Sequence, residues 1–303
     1  MIELMPGAFA DPEVAQTGCG PIEYSLTGSG APVVMVMHGG MGGYDQARVI
    51  LGNWLDENEY RFLCPSRPGY LGTPLDSGRS MEEQADLFAA LLDHLGIDKV
   101  AVVTVSAGGP PGYVFALRHP ERVWALIAID SVSGYYALPE TTGAAEKMLF
   151  TTTFGQKLAN IFEKISPASY LKELFTSTGY FTKNQLQDHI DYVLGNKDAL
   201  DFVHAFMNTM YPYDKREAGT ENDMSIYRTY TRLPLEGIGC PALIIHGTHD
   251  ADVKFYDGVY AYESIKGAER HWIEYGSHVC FWMNRNSLLA QRRAVEFLSA
   301  HKQ

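Results

Sequence analysis

Short apolar runs, each followed by a turn rich in glycine or proline, are the feature of this sequence that most restricts its fold. These runs occupy residues 33–37, 60–64, 100–105, 125–129, 242–245 and 272–275. A run that is apolar at nearly every position suits a strand buried on both faces, and such strands alternate with helices in parallel sheets. We therefore predict an α/β fold with a mostly parallel, doubly wound sheet.

Helical signals appear between these runs. Ser80 and Glu83 form an S-x-x-E capping box ahead of an apolar face with helical spacing, and Gly96 stands where a left-handed C-cap belongs. Another helix follows Ser106, and the last helix is predicted over residues 287–300. Each helix lies between or after strands, as an α/β arrangement requires.

The alternation of strands and helices stops between residues 134 and 239, where helical segments are broken by glycine, proline and threonine. We predict that residues 1–133 and 240–303 form the two parts of one core, and that residues 134–239 form a helical cap inserted into it. The sequence favours neither a lid that gates a substrate nor a region that only packs on the sheet.

Charge and hydropathy exclude several classes of partner. The chain has 303 residues, with 24 Lys and Arg against 36 Asp and Glu, which gives a formal net charge of −12. An acidic surface repels nucleic-acid backbones and anionic lipids, and no apolar run approaches the roughly 20 residues that span a bilayer. We expect a soluble protein that binds a small-molecule substrate, with no nucleic-acid or membrane partner.

The cysteine pattern and the N-terminal sequence indicate the cellular compartment of the protein. Four cysteines are scattered without paired spacing, as expected of free thiols in a reducing compartment: Cys19, Cys64, Cys240 and Cys280. The first sixteen residues contain no Lys or Arg and do not resemble a secretory signal. We therefore expect a cytoplasmic protein, with a mature exported chain as the less favoured alternative.

The carboxyl ends of the predicted strands carry the candidate chemistry, because ligands of open parallel sheets bind there. The residues at these ends are His38, Arg67, Ser106, Asp130, His246, His249, Asp250 and His278. A serine hydroxyl needs a base to take its proton, and a buried carboxylate orients an imidazole that does so. We predict that Ser106, Asp250 and His278 are the catalytic nucleophile, acid and base.

Ser106 follows an apolar strand and precedes the small residues Ala107, Gly108 and Gly109, which a sharp turn from strand to helix requires. Thr104 stands where the G-x-S-x-G pattern has its first glycine, so we expect the turn to open slightly or the threonine side chain to point away. A serine in this position is also a common helix N-cap, which is the structural alternative to catalysis.

Two other aspartates compete with Asp250 for the acid. Asp252 lies two residues further along the same loop, where it could also be a solvated turn residue or a helix cap. Asp130, at the end of the preceding strand, is a third candidate. We prefer Asp250 as the partner of His278; it lies three residues past Gly247, in the loop after an apolar strand.

The segment His-Gly-Gly-Met-Gly-Gly at residues 38–43 follows the strand expected beside the nucleophile strand. Glycines let backbone amides face a substrate, so we predict an oxyanion hole formed by the N–H groups of Gly40, or Met41, and Ala107. The loop lacks the pattern of a phosphate-binding loop. We also expect four loop residues to line the substrate pocket: His38, Tyr44, Tyr70 and Tyr135.

These motifs together resemble the α/β-hydrolase superfamily, whose members carry serine, acid and histidine in this chain order. The resemblance extends from the strand at residues 22–27 to the final helix, and segments 66–74 and 116–123 are family-like scaffold. It implies a serine hydrolase with an H-G-G-x-G oxyanion loop and no cofactor or metal. The elbow T-V-S-A-G differs from the G-G-S-W-G of proline iminopeptidases, and its serine differs from the aspartate of epoxide hydrolases and haloalkane dehalogenases.

The activity expected from this resemblance is cleavage of a carboxylic ester, thioester or lactone of a small, partly apolar substrate through an acyl-enzyme. Alternatives are an amidase similar to proline iminopeptidases, a hydrolase of carbon–carbon bonds, and a non-catalytic receptor that holds a ligand in the same pocket. A metal site built from His38, His246, His249, Asp250 and His278 is the least favoured, because the spacing of the histidines fits no H-E-x-x-H site.

Overall fold

A computed structural model describes residues 11–52, 54–137 and 165–302. Its centre is one eight-stranded sheet with the strand order β1-β2-β4-β3-β5-β6-β7-β8. The strands are β1 Glu13–Thr17, β2 Gly20–Thr27, β3 Val33–Met37, β4 Arg61–Pro65, β5 Val100–Val105, β6 Val123–Ile129, β7 Ala242–Gly247 and β8 Glu269–Ile273. The β1–β2 and β2–β4 pairs are antiparallel and the other pairs are parallel, so the predicted fold class is confirmed.

Ten α-helices lie in the described part of the chain. They are α1 Tyr44–Leu51, α2 Met81–Leu95, α3 Gly109–Arg118, α4 Pro167–Thr178, α5 Lys183–Gly195, α6 Lys197–Asn208, α7 Glu217–Tyr227, α8 Phe255–Ser264, α9 Cys280–Met283 and α10 Ser287–His301. Two large apolar clusters are built around the sheet. None of the described helices combines the length and the apolar character that crossing a membrane requires.

The predicted helix signals are present in the structure. The Ser80 hydroxyl accepts the N–H of Glu83, the Glu83 carboxylate accepts the N–H of Ser80, and Gly96 ends α2 in the left-handed conformation. The last helix extends one residue beyond the predicted end. Capping residues at the two ends stabilise a helix without any tertiary contact. A local sequence pattern is therefore enough to predict where α2 begins and ends.

The last strand begins and ends earlier in the chain than the sequence predicts. β8 covers residues 269–273 and not 272–275, and its sequence Glu-Arg-His-Trp-Ile is mostly polar. β8 pairs only with β7 at the edge of the sheet, so its residues are partly exposed and need not be apolar. β1 at the opposite edge also has an exposed, polar pattern, and no apolar run predicted it.

The segment between β6 and β7 contains α4, α5, α6 and α7, so its described part is helical as expected of a cap. Residues 138–164, which belong to the predicted cap, lie outside the described residues. Helix α6 contacts α1 and α9 of the core, and Phe202 stacks on Trp282 with ring centroids 4.9 Å apart. The domain boundaries at residues 134 and 239 stay predictions.

Candidate active site

Ser106 stands at a sharp turn between β5 and α3. Its φ of +54° lies in the left-handed region, which costs energy for a residue with a side chain. The turn continues as a short 3-10 helix over Ser106–Gly108. A Cβ atom at Gly108 would lie 2.1 Å from the carbonyl oxygen of Met37, so only glycine fits beside the neighbouring strand. The turn projects the Ser106 side chain into a cavity.

Thr104 is accommodated by a glycine on the helix that follows the turn. Its hydroxyl forms a 2.7 Å hydrogen bond with the hydroxyl of Ser131. Its methyl group packs toward Gly112 in α3, where a Cβ atom would lie only 2.1 Å away. The second of the two expected arrangements is therefore present: the Thr104 side chain points away from the nucleophile, and Gly112 leaves the space that it needs.

The structure brings together the three side chains predicted to form the triad. His278 Nε2 lies 2.9 Å from Ser106 Oγ, and His278 Nδ1 lies 2.8 Å from Asp250 Oδ2. The other carboxylate oxygen of Asp250 accepts the backbone N–H groups of Asp252 and Val253. Because a carboxylate accepts, Nδ1 carries a proton, and Nε2 is left to accept the hydroxyl proton of Ser106.

Burial and neighbouring charges shift the pKa values of His278 and Asp250 in opposite directions. Burial lowers the pKa of His278, but the carboxylates of Asp250 and then Asp252 favour the imidazolium and leave the pKa raised overall. Burial raises the pKa of Asp250, and the neighbouring His278 works against that rise. The nearby carboxylates therefore favour the imidazolium that forms when His278 Nε2 takes a proton.

The two competing aspartates occupy different positions around the imidazole. Asp252 Oδ2 lies 3.6 Å from His278 Nε2, on the nucleophile side of the ring, while its Oδ1 accepts the hydroxyl of Tyr136. Asp130 Oδ1 accepts the N–H of Gly247 at 2.8 Å and so holds the loop that carries Asp250. Among the described residues, Asp250 is the carboxylate hydrogen-bonded to Nδ1 of His278.

Asp250 and two buried neighbours form a group whose spacing is suited to a metal ion. Asp130, His246 and Asp250 each offer a ligand atom within 4.8 Å of the others. Asp130 Oδ1 and both oxygens of Asp250 already accept hydrogen bonds. His246 Nε2 lies 3.0 Å from the carbonyl oxygen of Val253, which can only accept, so this nitrogen carries a proton. The set is therefore arranged as hydrogen-bonding support for the Asp250 loop.

The glycine-rich loop after β3 lies against the nucleophile. Gly39, Gly40, Met41 and Ala107 share the cavity wall with Ser106. The N–H of Gly39 donates to the side chain of Gln46, whereas the N–H groups of Gly40 and Met41 donate to no other described residue. A Cβ atom at Gly40 would lie 3.8 Å from that of Ala107, so the two predicted oxyanion donors are close neighbours.

The cavity above Ser106 has a volume of about 750 Å³. Apolar side chains dominate its wall, and the described ones larger than alanine include Met41, Val132, Leu174, Phe202, Val203, Phe206, Met207, Met210, Met224, Val279 and Met283. Most come from α4, α6 and α7 of the helical region, so the cavity lies between this region and the sheet. Its charged wall residues, within the described ranges, are Glu217, Glu221, Arg228, Asp252 and His278.

None of the four side chains expected in the pocket lines this cavity. His38 is completely buried beneath the loop, where its Nε2 accepts the N–H of Arg67, and burial lowers its pKa well below the usual value. Tyr70 is also completely buried, and its ring meets His38 edge to face. Tyr44 is half-buried against the apolar core, and Tyr135 is exposed.

The family model for the alpha/beta hydrolase fold matches residues 32–282. The chain belongs to the alpha/beta hydrolase fold family. It is therefore a hydrolase, as the sequence predicted. A solved structure, an alpha/beta hydrolase fold protein from Nakamurella multipartita, is 32% identical with a TM-score of 0.88, and the match covers 96% of this chain and 99% of that one.

Curated relatives of this hydrolase are more distant. An uncharacterized hydrolase of Bacillus subtilis, YcgS, is 29% identical over 88% of this chain and 91% of its own length. A 2-hydroxy-6-oxononadienedioate/2-hydroxy-6-oxononatrienedioate hydrolase of Dechloromonas aromatica is 24% identical over 92% of this chain and 90% of its own length. The matches span nearly whole chains and therefore include the helical region as well as the core.

The hydrolase contains site residues that sequence analysis did not single out. Tyr136 and the apolar residues of α6 line the cavity. Arg216 and Asp223 lie behind the glycine-rich loop, together with Arg67, which the sequence places at a strand end. The apolar spacing of α6 gave a local signal for a buried face. The pairing of Arg67 with Asp223 joins residues 156 positions apart, and no local pattern could indicate it.

Proposed function

We propose that this hydrolase cleaves a carboxylic ester, thioester or lactone of a small, partly apolar substrate through an acyl-enzyme formed on Ser106. The observation that carries the proposal is the 2.9 Å contact between Ser106 Oγ and His278 Nε2 at the wall of a cavity. A nucleophile and a base within hydrogen-bonding distance, with the base oriented by a third group, are the signature of nucleophilic catalysis.

The chemical steps follow from the positions of these atoms. Ser106 Oγ attacks the carbonyl carbon while its proton passes to His278 Nε2, and the N–H groups of Gly40 and Ala107 stabilise the negative oxygen. His278 then gives that proton to the leaving alcohol or thiol as the bond to the acyl carbon breaks. Water attacks the acyl-enzyme with His278 as base, and the acid product leaves with Ser106 restored.

The composition of the cavity wall supports an apolar acyl group. Five methionines face it, at positions 41, 207, 210, 224 and 283. Methionine side chains are flexible and polarizable, so they adapt to acyl groups of different shape. A volume of about 750 Å³ is in the usual range for small-molecule sites. We infer a substrate with an extended or branched hydrocarbon portion next to the scissile carbonyl.

Cleavage of a carbon–carbon bond is the second candidate, because it is suggested by the relatives named as nonadienedioate hydrolases. A dioate carries two carboxylates, and burying them requires cationic partners. Within the described part of the chain, Arg228 is the one lysine or arginine at the cavity wall, and Glu217, Glu221 and Asp252 add negative charge. This balance favours a neutral ester over a dianion.

A panel of neutral p-nitrophenyl esters, thioesters, lactones, amides and a dienedioate tests the proposal. Wild type should turn over esters, and Ser106→Ala should lower kcat by about 10⁴-fold or more, since members of a triad act as a unit. Ser177→Ala is the matched control, because Ser177 lines the same cavity but donates to the carbonyl of Leu174. Full ester turnover by Ser106→Ala would refute the acyl-enzyme.

Labelling with a fluorophosphonate separates an enzyme from a receptor. Rapid, stoichiometric modification of Ser106 together with ester turnover supports the proposed function. Turnover of the dienedioate in preference to every neutral ester would instead establish the second candidate. A protein that reacts with neither the fluorophosphonate nor any member of the panel would be a ligand receptor built on the hydrolase fold.

A further inference from the structure

We propose that Arg67 and Arg216 are positioning residues that hold the peptide groups of the oxyanion loop, residues 38–43, and that helix α7 sets this loop through Asp223. The inference rests on the proposed function, because it takes the N–H of Gly40 as an oxyanion donor. Both guanidinium groups are almost completely buried, at 0% and 1% exposure. A buried guanidinium group is costly unless its charge is paired and hydrogen-bonded, so the contacts of each arginine indicate what it holds.

Arg67 joins the oxyanion loop to the helical region. Its Nε donates to the carbonyl of His38 at 3.2 Å, and its Nη2 donates to the carbonyl of Gly39 at 3.3 Å. On its other side, Nη1 and Nη2 donate to the two oxygens of Asp223 at 2.9 and 2.7 Å. The planar guanidinium is thus fixed by a bidentate carboxylate while two of its groups hold the loop.

These contacts determine which way the N–H of Gly40 points. In a trans peptide group the C=O and the N–H point in opposite directions. The carbonyl of Gly39 is held by Arg67 and by the ring of His38, at 2.8 Å from Nδ1, so the N–H of Gly40 points away from both. Gly40 also forms part of the cavity wall beside Ser106. Of the two predicted donors, Gly40 and Met41, this geometry favours Gly40.

The preceding peptide group is held at both ends. Arg67 Nε donates to the carbonyl of His38, and the side chain of Gln46 accepts the N–H of Gly39 at 2.9 Å. The next peptide group is held at its carbonyl, and its N–H donates to no residue within the described ranges, so it can bind a substrate oxygen. In the peptide group between His38 and Gly39, both the C=O and the N–H are hydrogen-bonded. In the next peptide group, the N–H of Gly40 is available to bind the oxyanion.

Arg216 holds the other end of the same loop. Its Nη1 donates to the carbonyl of Gly42 at 3.0 Å, and its Nη2 donates to Asp45 Oδ2 at 2.7 Å and to the carbonyl of Tyr211 at 3.1 Å. Asp45 lies in the first turn of α1, directly after the loop. The loop is thus held on both sides by guanidinium groups that have their own carboxylate partners.

Helix α7 brings these contacts together. Asp223 lies within it, Arg216 immediately precedes it, and Tyr227 at its end donates its hydroxyl to the carbonyl of Ala107. Tyr70 adds a 2.6 Å hydrogen bond to Asp223. A shift of α7 would therefore move both halves of the oxyanion hole. A loop so rich in glycine has low intrinsic resistance to peptide rotation, which explains why it needs external support.

Asp223→Asn tests the proposal, because it keeps the shape of the side chain and removes the charge that orients Arg67. We expect kcat for a p-nitrophenyl ester and the rate of Ser106 labelling by a fluorophosphonate to fall about 10- to 100-fold, since a displaced oxyanion donor weakens the transition state. KM should change little. Arg118→Lys is the control, because its ion pair with Asp86 lies on the surface away from the loop.

A second readout separates positioning from general destabilisation. A trifluoromethyl ketone adds to the serine and forms an oxyanion, whereas the matching methyl ketone binds mainly without adding. The ratio of their inhibition constants should fall toward one in Asp223→Asn, and the acid limb of the pH profile should stay unchanged because His278 is untouched. Tyr70→Phe removes one hydrogen bond to Asp223 without unpairing a buried charge, and it should give the same pattern with a smaller amplitude.

The outcomes distinguish this proposal from the proposed function. If wild type fails to react with the fluorophosphonate, the acyl-enzyme chemistry is wrong and this role falls with it. If wild type reacts and a folded Asp223→Asn or Tyr70→Phe reacts equally fast with an unchanged ketone ratio, the positioning role alone is wrong. A variant in which KM rises, kcat falls and the thermal transition moves to lower temperature would also contradict it, since that result indicates a purely structural ion pair.

Discussion

The carboxylate of Asp252 lies 3.6 Å from His278 Nε2, the nitrogen that also contacts Ser106. A second carboxylate at this side of the ring stabilises the imidazolium formed when the serine loses its proton. Asp252 remains partly open to the cavity and is hydrogen-bonded to Tyr136. The acid that was the rival of Asp250 in the sequence thus stands beside the same imidazole, on the opposite side from Asp250.

We predict that Asp252→Asn shifts the acid limb of kcat/KM to lower pH. Catalysis needs neutral His278, so activity is lost as the pH falls through its pKa. Burial lowers that pKa, while Asp250 and then Asp252 raise it, so removing the charge of Asp252 lowers it. For a partly exposed neighbour we expect a shift of about 0.5 to 1 pH unit.

The control for this experiment is Glu217→Gln, another carboxylate at the cavity wall that makes no ion pair with His278 among the described contacts. Its pH profile should match that of wild type. An acid limb that stays in place in Asp252→Asn, or moves to higher pH, would show that Asp252 does not act on the imidazole.

Asp250→Asn should lower kcat by about 10⁴-fold, because an amide at Nδ1 allows the wrong tautomer and does not stabilise the imidazolium. Asp130→Asn should have a much smaller effect, since Asp130 Oδ1 accepts the N–H of Gly247 and holds the loop. Measuring kcat and the thermal transition of both variants decides between the two acids. A larger loss of kcat in Asp130→Asn than in Asp250→Asn would reverse the assignment.

The convergence of Ser106, Asp250 and His278 could be predicted because it depends on the topology of the fold. The carboxyl ends of parallel strands meet at one edge of the sheet, so an apolar run followed by serine, aspartate or histidine places that residue near the others. The same reasoning gave the glycine-rich loop after β3. Strands β3 and β5 are neighbours in the sheet, and this pairing sets the loop beside Ser106.

The pocket could not be predicted in the same way. Tyr135 was expected in it, but Tyr135 is exposed and its neighbour Tyr136 lines the cavity. Adjacent side chains point in different directions, so the choice between them depends on backbone angles that one sequence does not reveal. Tyr70 and His38 carry the chemistry of a binding site, yet contacts with Arg67 and Asp223 bury them beneath the loop.

Gly112→Ala should destabilise the fold by about 1 to 3 kcal/mol, because its Cβ atom would lie 2.1 Å from Cγ2 of Thr104. Thr104→Ser keeps the hydroxyl that bonds Ser131 and removes that methyl group. In this background Gly112→Ala should be tolerated, since alanine favours a helix over glycine by about 1 kcal/mol. Chemical denaturation of the two single variants and the double variant measures the coupling, and additive effects would refute the contact.

The acyl preference of the cavity is testable at Val203, a buried residue of α6 that lines it. Val203→Phe adds bulk that fills part of the cavity, so kcat/KM should fall about tenfold for long acyl chains and stay near wild type for acetate esters. Leu194→Phe on α5 is the matched control, because residue 194 is exposed and lies outside the cavity wall. Measuring kcat/KM across acyl chains of increasing length, together with the thermal transition, reports the available space. An equal loss for short and long chains would show that Val203 supports the triad or the fold and does not limit the acyl group.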